Sequence, residues 1–327
     1  MKSTKEQLLQ IQEKLNDLID SDATQEEAIQ AMNEIINSIG YNIQPAKDFV
    51  AENERILNEW RNHLNQYEKF APDGIMYKGE FRGEYKYYET GEQRFRWIRL
   101  PNGKENILWA NAPLRILFLT KDQNTSGDTS WDVRSESFRY VASYNPEAYK
   151  PEDKWLATNV PFFRNLVYSL YGIMNTTSAK IMNYHDIIDK KAIEFIDSDE
   201  HIFARINCKK EVGEDKCHDH ILKEAIDRDI NYLEQQINNL DADIFICCGY
   251  SQAIPETGNR MLNLLNSIGY HFKPQDEEKW IFYDLDKNKV AINSYHLSYL
   301  RFDYVGMISA YHEFLKKHPA FTESHRK

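Results

Sequence analysis

Two short apolar segments of the chain each lead into a side chain that can do acid, base or hydrogen-bond chemistry. Residues 116–119 are apolar and are followed by Asp122, whereas residues 290–292 are apolar and are followed by His296. Runs this short are typical of buried strands rather than helices. Because ligands of open α/β sheets bind beyond the carboxyl ends of the strands, the sequence predicts a site that contains Asp122 and His296.

The elements that must position these residues begin near Pro113, where strands and helices start to alternate. Four strands are predicted, at 114–119, 202–206, 244–248 and 290–293, and the second of them ends at Asn207. Helices are predicted at about 161–172, 221–240, 261–265 and 304–317. Such alternation is typical of parallel sheets covered on both faces. The predicted fold class is therefore α/β, with a mostly parallel four-stranded sheet flanked by helices.

The segments before this domain differ from it in character. Residues 1–70 show the apolar spacing of three helices, which we interpret as a region for packing or oligomer contact. Residues 71–112 alternate aromatic and charged side chains between glycines, which predicts a β meander or insertion. Its arginines and aromatics are compatible with stacking on a nucleic-acid strand, but a half-buried sheet is the favoured interpretation. The predicted division is 1–70, 71–112 and an α/β domain at 113–327.

Composition limits the classes of protein to which the chain can belong. The formal net charge of −11 argues against broad electrostatic binding of nucleic acid, although residues 1–66 hold 12 acidic and 6 basic side chains and leave the larger domain less acidic. No segment approaches the roughly 18 consecutive apolar residues of a membrane span. Residues 1–6 lack the apolar part of a secretion signal. The 4 cysteines suit a reducing compartment. We expect a cytoplasmic protein without membrane contact.

Polar motifs at the ends of three predicted strands resemble those of the uracil-DNA glycosylase superfamily, over about residues 113–315. The first is Thr120-Lys121-Asp122-Gln123-Asn124, where that family has Gly-Gln-Asp-Pro-Tyr. The second is Ile206-Asn207-Cys208-Lys209, where the family has a base-reading Asn. The third is His296-Leu297-Ser298-Tyr299-Leu300-Arg301, where the family has His-Pro-Ser-Pro-Leu-Ser. The resemblance implies that family's fold for the α/β domain.

The resemblance also implies an activity, which is hydrolysis of the N-glycosidic bond of an extruded uracil or other modified base during DNA repair. Asp122 would orient or activate water and offset the positive charge that develops on the sugar. His296 would donate a hydrogen bond to the base oxygen on which negative charge develops. The reaction would need no cofactor and no metal. The partner would be DNA, duplex or single-stranded, that carries an altered base.

Further residues receive binding roles from the same resemblance. Asn207 would read the edge of the extruded base, since its amide both donates and accepts. Trp131 or Phe138 would stack on that base. Ser298 would contact a backbone phosphate, and Leu300 would fill the gap that the base leaves in the duplex.

The motifs depart from the family at positions that affect substrate choice. Thr120 and Gln123 replace the Gly and Pro beside the Asp, and Leu297 replaces a Pro in the last motif. Asn124 stands where the family has the Tyr that excludes the methyl group of thymine. The base site that includes Asn124 is therefore expected to admit a larger or modified base.

Two other interpretations stay open. Cys208, Cys217, His218 and His220 have the side-chain types of zinc ligands, although their spacing matches no usual zinc motif. The second alternative is a catalytically inactive module of the same fold that binds nucleic acid or a nucleobase. Such a module would act with a partner protein or associate with itself through residues 1–70. The altered loop around Asp122 and the acidic net charge both favour this second alternative.

Overall fold

The structure is a computed structural model, and it describes residues 47–65, 68–87, 93–123, 130–139, 160–213, 217–300 and 302–321. The first two predicted helices lie outside the described residues. The third is observed as helix α1 (Phe49–Leu64). From Phe49 onward the chain forms one compact unit, so α1 belongs to the same unit as the α/β region.

Nine strands form two sheets within the described residues. In chain order they are β1 (Gly74–Ile75), β2 (Phe81–Tyr87), β3 (Gln93–Arg99), β4 (Ile116–Thr120), β5 (Ala204–Asn207), β6 (Ile244–Cys248), β7 (Lys273–Pro274), β8 (Ile281–Asp284) and β9 (Lys289–Ser294). The main sheet is mixed and has seven strands in the order β1-β5-β4-β6-β9-β8-β7. The α/β fold class is therefore confirmed.

The predicted four-stranded sheet is wrong in its extent. The four predicted strands are β4, β5, β6 and β9, and they pair in parallel at the centre of the sheet. β1 adds an antiparallel edge beside β5, while β8 and β7 add antiparallel strands beyond β9. β1 and β7 were not predicted, because two-residue strands show no periodicity. β8 was not predicted either, because an antiparallel partner can follow its neighbour without the intervening helix that parallel strands require.

The order of the parallel strands creates a topological switch point. The chain passes from β4 to β5 on one side of β4, and then to β6 on the other side. In doubly wound sheets the connections diverge at such a point and leave a crevice beyond the carboxyl ends of the strands. Here the switch lies between β4 and β6. The segment that leads to Asp122 leaves the sheet beside it.

Helices cover both faces of the main sheet. After α1 they are α2 (Glu105–Ala110), α3 (Pro161–Asn175), α4 (Asp189–Asp197), α5 (Asp219–Leu240), α6 (Arg260–Ser267) and α7 (Tyr304–Lys317). Leu117 and Leu119 of β4 pack in one core with α1, α5 and α6. Ile116 and Phe118 pack in a second core with α3, α4 and α7. This alternation follows from the two-residue period of a strand. No helix among the described residues has the length and apolarity needed to cross a membrane.

The bounds of two helices follow from local sequence signals. Pro161 occupies the first turn of α3, where its missing N–H costs no hydrogen bond. The Asp303 carboxylate accepts a hydrogen bond from the Gly306 backbone N–H at 2.8 Å and caps α7. The predicted helix at 304–317 is therefore confirmed with its bounds.

The predicted meander contains an antiparallel strand pair. β2 and β3 pair from Phe81–Arg99 to Tyr87–Gln93 and form a separate two-stranded sheet. Ile98 of β3 also makes a β-bridge with Glu136, so the hairpin is joined to the segment that precedes α3. The boundaries at 70 and 112 stay a prediction.

Candidate functional site

The chain segments that follow β4 and β5 continue to pair beyond the strands. The Cys208 N–H donates to the Thr120 carbonyl at 2.8 Å, and the Lys209 N–H donates to the Lys121 carbonyl at 2.9 Å. This pairing carries the loop after β5 along the loop that holds Asp122. The side chains of both loops are consequently in contact.

Asp122 lies beneath the loop that follows β5. Its carboxylate is 8% exposed and lies 3.3 Å from the Lys209 ammonium. A Cβ atom on Gly213 would lie 1.9 Å from Asp122 Oδ2, so only glycine fits there without rearrangement. Burial and the charge of Asp122 raise the pKa of the Cys217 thiol to about 11. Within the described part of the chain, the side chain of Asp122 makes no hydrogen bond with Asn207 or His296.

Asn207 is fixed at the end of β5 through its backbone. Its N–H donates to Asp73 Oδ2 at 2.7 Å, and its carbonyl accepts a hydrogen bond from the Lys210 ammonium at 3.0 Å. Its side-chain Oδ1 accepts from the Thr120 hydroxyl at 2.6 Å. Among the described residues, its buried Nδ2 has no hydrogen-bond partner. Since a buried donor without a partner is costly, this amide suits a ligand that brings an acceptor.

The ion pair that holds Asn207 is itself buried. Lys210 and Asp73 are both fully buried, and their charged groups lie 2.5 Å apart. The Lys210 ammonium also binds Gln236 Oε1 at 3.0 Å, and it lies 4.7 Å from the centre of the Trp60 ring. Burial lowers the pKa of Lys210, and the charge of Asp73 opposes that shift. This network ties the end of β5 to α1 and α5.

Arg205 and Glu136 form a second buried ion pair beside Asn207. Arg205 Nη1 contacts Glu136 Oε2, while Glu136 Oε1 accepts from the Trp131 indole N–H at 3.1 Å. Arg205 Nε donates to the Thr120 hydroxyl at 3.2 Å, which connects the pair to Asn207. The sequence analysis missed both residues. An arginine inside a short apolar strand could have indicated this pair, because a buried charge needs a partner of opposite charge.

His296 is held as a neutral imidazole. Its Nδ1 lies 3.3 Å from the Ser298 backbone N–H, which donates to it. Burial, together with the charges of Lys121 and Arg205, lowers the pKa of His296 to about 4. With Nδ1 as acceptor, the proton of the neutral ring sits on Nε2. The site therefore presents an uncharged N–H donor just past β9.

The loop that carries His296 is anchored to α3. Asn165 Nδ2 donates to the Leu297 carbonyl at 2.6 Å. The ring centres of Phe162 and His296 lie 6.2 Å apart, and the Arg205 guanidinium carbon lies 4.7 Å from the centre of the Phe162 ring. Phe162 therefore connects His296 with Arg205, and through Arg205 with Asn207.

The remaining predicted residues occupy different surroundings. Trp131 is half-buried, and Arg96 lies 5.6 Å from the centre of its ring. Phe138 packs in the core with its ring centre 5.6 Å from that of Phe163, which argues against a stacking role. Asn124 lies outside the described residues. Ser298 is exposed, and Leu300 is 84% exposed.

The candidate zinc ligands do not come together. Cys208 is buried, and burial raises the pKa of its thiol to about 12. His218 and His220 stack on each other with ring centres 5.9 Å apart. No group of three side chains suited to a metal ion occurs within the described ranges.

The arrangement can bind a ligand through hydrogen-bond donors at the carboxyl edge of the parallel strands. Asn207 is the last residue of β5, His296 follows β9, and Arg205 is connected to Asn207 through Thr120 and to His296 through Phe162. Comparisons with protein-family models, with curated proteins and with solved structures found no match.

Proposed function

We propose that the protein is a DNA glycosylase-like hydrolase, with a uracil-DNA glycosylase-like α/β domain, that cleaves the N-glycosidic bond of an extruded uracil or other modified base. One observation carries the proposal: the neutral His296 ring, with Nδ1 engaged by Ser298 and Nε2–H available as a donor. As the base departs, negative charge develops on its oxygen. A fixed neutral donor stabilises that charge in the transition state.

Asn207 supports the same proposal. Its Nδ2 is a buried donor without a partner among the described residues, and its backbone is held on both sides by Asp73 and Lys210. A rigid amide of this kind can read the edge of a base that has left the duplex. Trp131 is the proposed stacking residue, because Phe138 is enclosed in the core.

Contacts with DNA are proposed for the loop after His296. Ser298 and Leu300 are both exposed at its tip. Ser298 would bind a backbone phosphate, and Leu300 would occupy the space that the extruded base leaves. The proposed partner is DNA, duplex or single-stranded, and no cofactor takes part.

A second candidate function has its own supporting observation. Asp122, the proposed water-activating residue, is buried and paired with Lys209. Lys209 pairs with Oδ2 and the backbone of Gly213 lies close to that oxygen, so little of the carboxylate is accessible to a water molecule. This geometry favours a module that binds nucleic acid or a nucleobase without cleaving it. Such a module would act with a partner protein or through residues 1–70.

Incubation with DNA distinguishes the two functions. Duplexes and single strands that carry uracil, hypoxanthine or another altered base are incubated with the protein and then treated with alkali, which breaks the strand at a site without a base. Strand breaks that disappear in Asp122→Asn and His296→Ala support the hydrolase. Binding without breaks supports the module, and the absence of both overturns both proposals.

A further inference from the structure

Arg205 places a positive charge at the carboxyl end of β4, the strand that borders the switch point of the sheet. The residue is 3% exposed, and its side chain lies on the same face of β5 as Asn207, two residues further on. From there it crosses to the end of β4, where Nε donates to the Thr120 hydroxyl at 3.2 Å. The guanidinium group therefore extends from β5 to the end of the neighbouring strand β4.

The charge of Arg205 also reaches the two remaining parallel strands. Burial raises the pKa of Cys248 at the end of β6, and the charge of Arg205 opposes that shift. The same charge adds to the lowering of the pKa of His296 after β9. The guanidinium group thus lies at the end of β4 and close enough to Cys248 and His296 for its charge to act on both, beside the point where a ligand of an α/β sheet binds.

The donors gathered at this point are not all used by the protein. The hydrogen bonds of Arg205 involve Nε and Nη1, and none within the described ranges involves Nη2. Asn207 Nδ2 has no partner among those residues, and its Oδ1 is already occupied by Thr120. With His296 Nε2, three donors remain available. In the described part of the chain, the carboxylate bonded to Arg205 is that of Glu136, whose second oxygen is bonded to Trp131.

We infer that Arg205 is a substrate-binding and catalytic residue, whose Nη2 donates to an oxygen of the extruded base and stabilises the base anion as it leaves. This inference rests on the proposed function and names its substrate class. The donors that remain available among the described residues favour bases with two carbonyl oxygens, such as uracil and its more acidic derivatives, over amino bases with one, such as cytosine. Glu136 acts as a positioning residue, since it holds the guanidinium group in place before the base arrives.

The reaction that this arrangement serves is a hydrolysis. The bond between C1′ of the sugar and the base nitrogen breaks, and both of its electrons go to the base. The water oxygen bonds to C1′. One hydrogen of the water stays in the new hydroxyl group, and the other ends on the base, which leaves in neutral form. Arg205 and His296 act on the intermediate stage, when the base carries the negative charge.

Binding of free bases tests the role of Arg205 without requiring cleavage of DNA. Calorimetry at a fixed, slightly alkaline pH compares uracil, 5-fluorouracil and 5-nitrouracil, whose ring N–H groups are increasingly acidic, with cytosine as the amino base. We expect the wild-type affinity to rise along the uracil series and to be lowest for cytosine. A wild-type protein that binds none of the four bases overturns the inference.

A charge-balanced double variant isolates the guanidinium group. The double variant Arg205→Gln with Glu136→Gln should lose about tenfold to a hundredfold in affinity for 5-nitrouracil, the size of a hydrogen bond to a charged group. Its affinity should depend little on the acidity of the base along the uracil series. The matched control is Arg260→Gln with Asp219→Asn, which removes a bidentate ion pair formed by α5 and α6. We expect wild-type binding from this control. If the Arg205 double variant binds as the wild type does, the inference is wrong.

If the double variant does not fold, Arg205→Lys replaces it. This variant keeps the positive charge but removes the Nη2 donor, so it should still lose affinity for 5-nitrouracil. Wild-type affinity in Arg205→Lys would overturn the inference.

Two further outcomes keep the inference separate from the proposed function. Base binding that follows acidity, without any cleavage of DNA, refutes the hydrolase and leaves the role of Arg205 in binding supported. Cleavage by the wild type with unchanged base binding in the double variant refutes only the role of Arg205.

Discussion

The Ser298 backbone N–H donates to Nδ1 of His296 across 3.3 Å, and this contact decides which ring nitrogen carries the proton. It does so from a residue only two positions away, within a loop that Asn165 anchors to α3. The neutral ring and its Nε2 donor are therefore a property of the folded loop. They do not depend on a carboxylate partner, which would instead favour the charged imidazole.

The pKa of His296 predicts an acid limb in both stability and activity. The folded-state pKa of about 4 lies below the ordinary value of 6.5, so the unfolded chain binds more protons between these two values. Stability contributed by His296 is fully present above the ordinary value and is lost as pH falls toward about 4. Cleavage should accordingly stay constant from neutral pH to about 5 and decline below it, as measured by initial rates across that range.

His296→Gln provides the comparison for this pH dependence. In urea titrations, the unfolding free energy of this variant should change less between those two pH values than that of the wild type. An unaltered pH dependence of stability in His296→Gln would show that other groups cause it.

The Thr120 hydroxyl fixes the orientation of the Asn207 amide, because it donates a hydrogen bond to Oδ1. Thr120→Val removes the hydroxyl that binds Oδ1 and leaves a side chain of similar shape. The freed Oδ1 can then accept a hydrogen bond from an amino base, so we expect the preference for uracil over cytosine to fall about fivefold to tenfold, the size of one hydrogen bond. Competition binding with the two free bases measures the ratio.

Thr176→Val is the matched control for Thr120. Its hydroxyl accepts a backbone N–H at 3.1 Å, at the opposite end of α3 from Phe162. We expect this variant to keep the wild-type preference. An unchanged ratio in Thr120→Val would exclude the assigned orientation of the Asn207 amide.

Substitution of Asp122, which pairs with Lys209, should affect DNA cleavage much more than affinity for the free base. Asp122→Asn should reduce cleavage about a hundredfold or more, the usual contribution of a general base. It should leave affinity for the free base within about twofold, because among the described residues the Asp122 side chain makes no hydrogen bond with Asn207 or His296. Single-turnover rates and calorimetry give the two quantities. Asp227→Asn, in an exposed pair with Lys223, is the control. Full cleavage by Asp122→Asn would move the water-activating role to another residue.

The buried pair of Asp73 and Lys210 should contribute much more to the unfolding free energy than an exposed ion pair does. Lys210→Met leaves the Asp73 carboxylate buried without its cation, which costs about 3–5 kcal/mol of unfolding free energy. Lys223→Met, which breaks the exposed pair with Asp227, should cost no more than about 0.5 kcal/mol. Urea unfolding followed by circular dichroism compares them. Equal losses of unfolding free energy in the two variants would show that the buried pair of Lys210 and Asp73 contributes no more than the exposed pair does.

Leu300 offers a prediction that concerns duplex DNA only. Its side chain is 84% exposed, so Leu300→Ala should leave stability unchanged. If Leu300 fills the gap left by the base, the variant cleaves duplex substrate about tenfold more slowly and single-stranded substrate at the wild-type rate. Leu285→Ala, at a position that is 74% exposed between β8 and β9, is the control. Equal slowing on both substrates would argue against a wedge.

Most of the sheet and its covering helices could be predicted because they have local signals. The four central strands are apolar runs, and α5 repeats its apolar residues at the helical period. Asp122, Asn207 and His296 were identifiable as candidates, since each follows a strand. Short edge strands such as β1 and β7 give no such signal, because their pairing depends on a partner distant in the chain.

The sequence by itself determined the fold class and the polar residues that end the strands, because both depend on neighbours along the chain. Only the tertiary structure decided how those residues are paired. Asp73 reaches the Asn207 backbone across 134 positions, and Arg205 crosses to Thr120 across 85. Contacts of this kind follow from strand order and from loops that meet at one edge of the sheet, which local periodicity does not encode. The ion pair of Asp122 with Lys209 is another contact between these loops that local sequence signals did not predict.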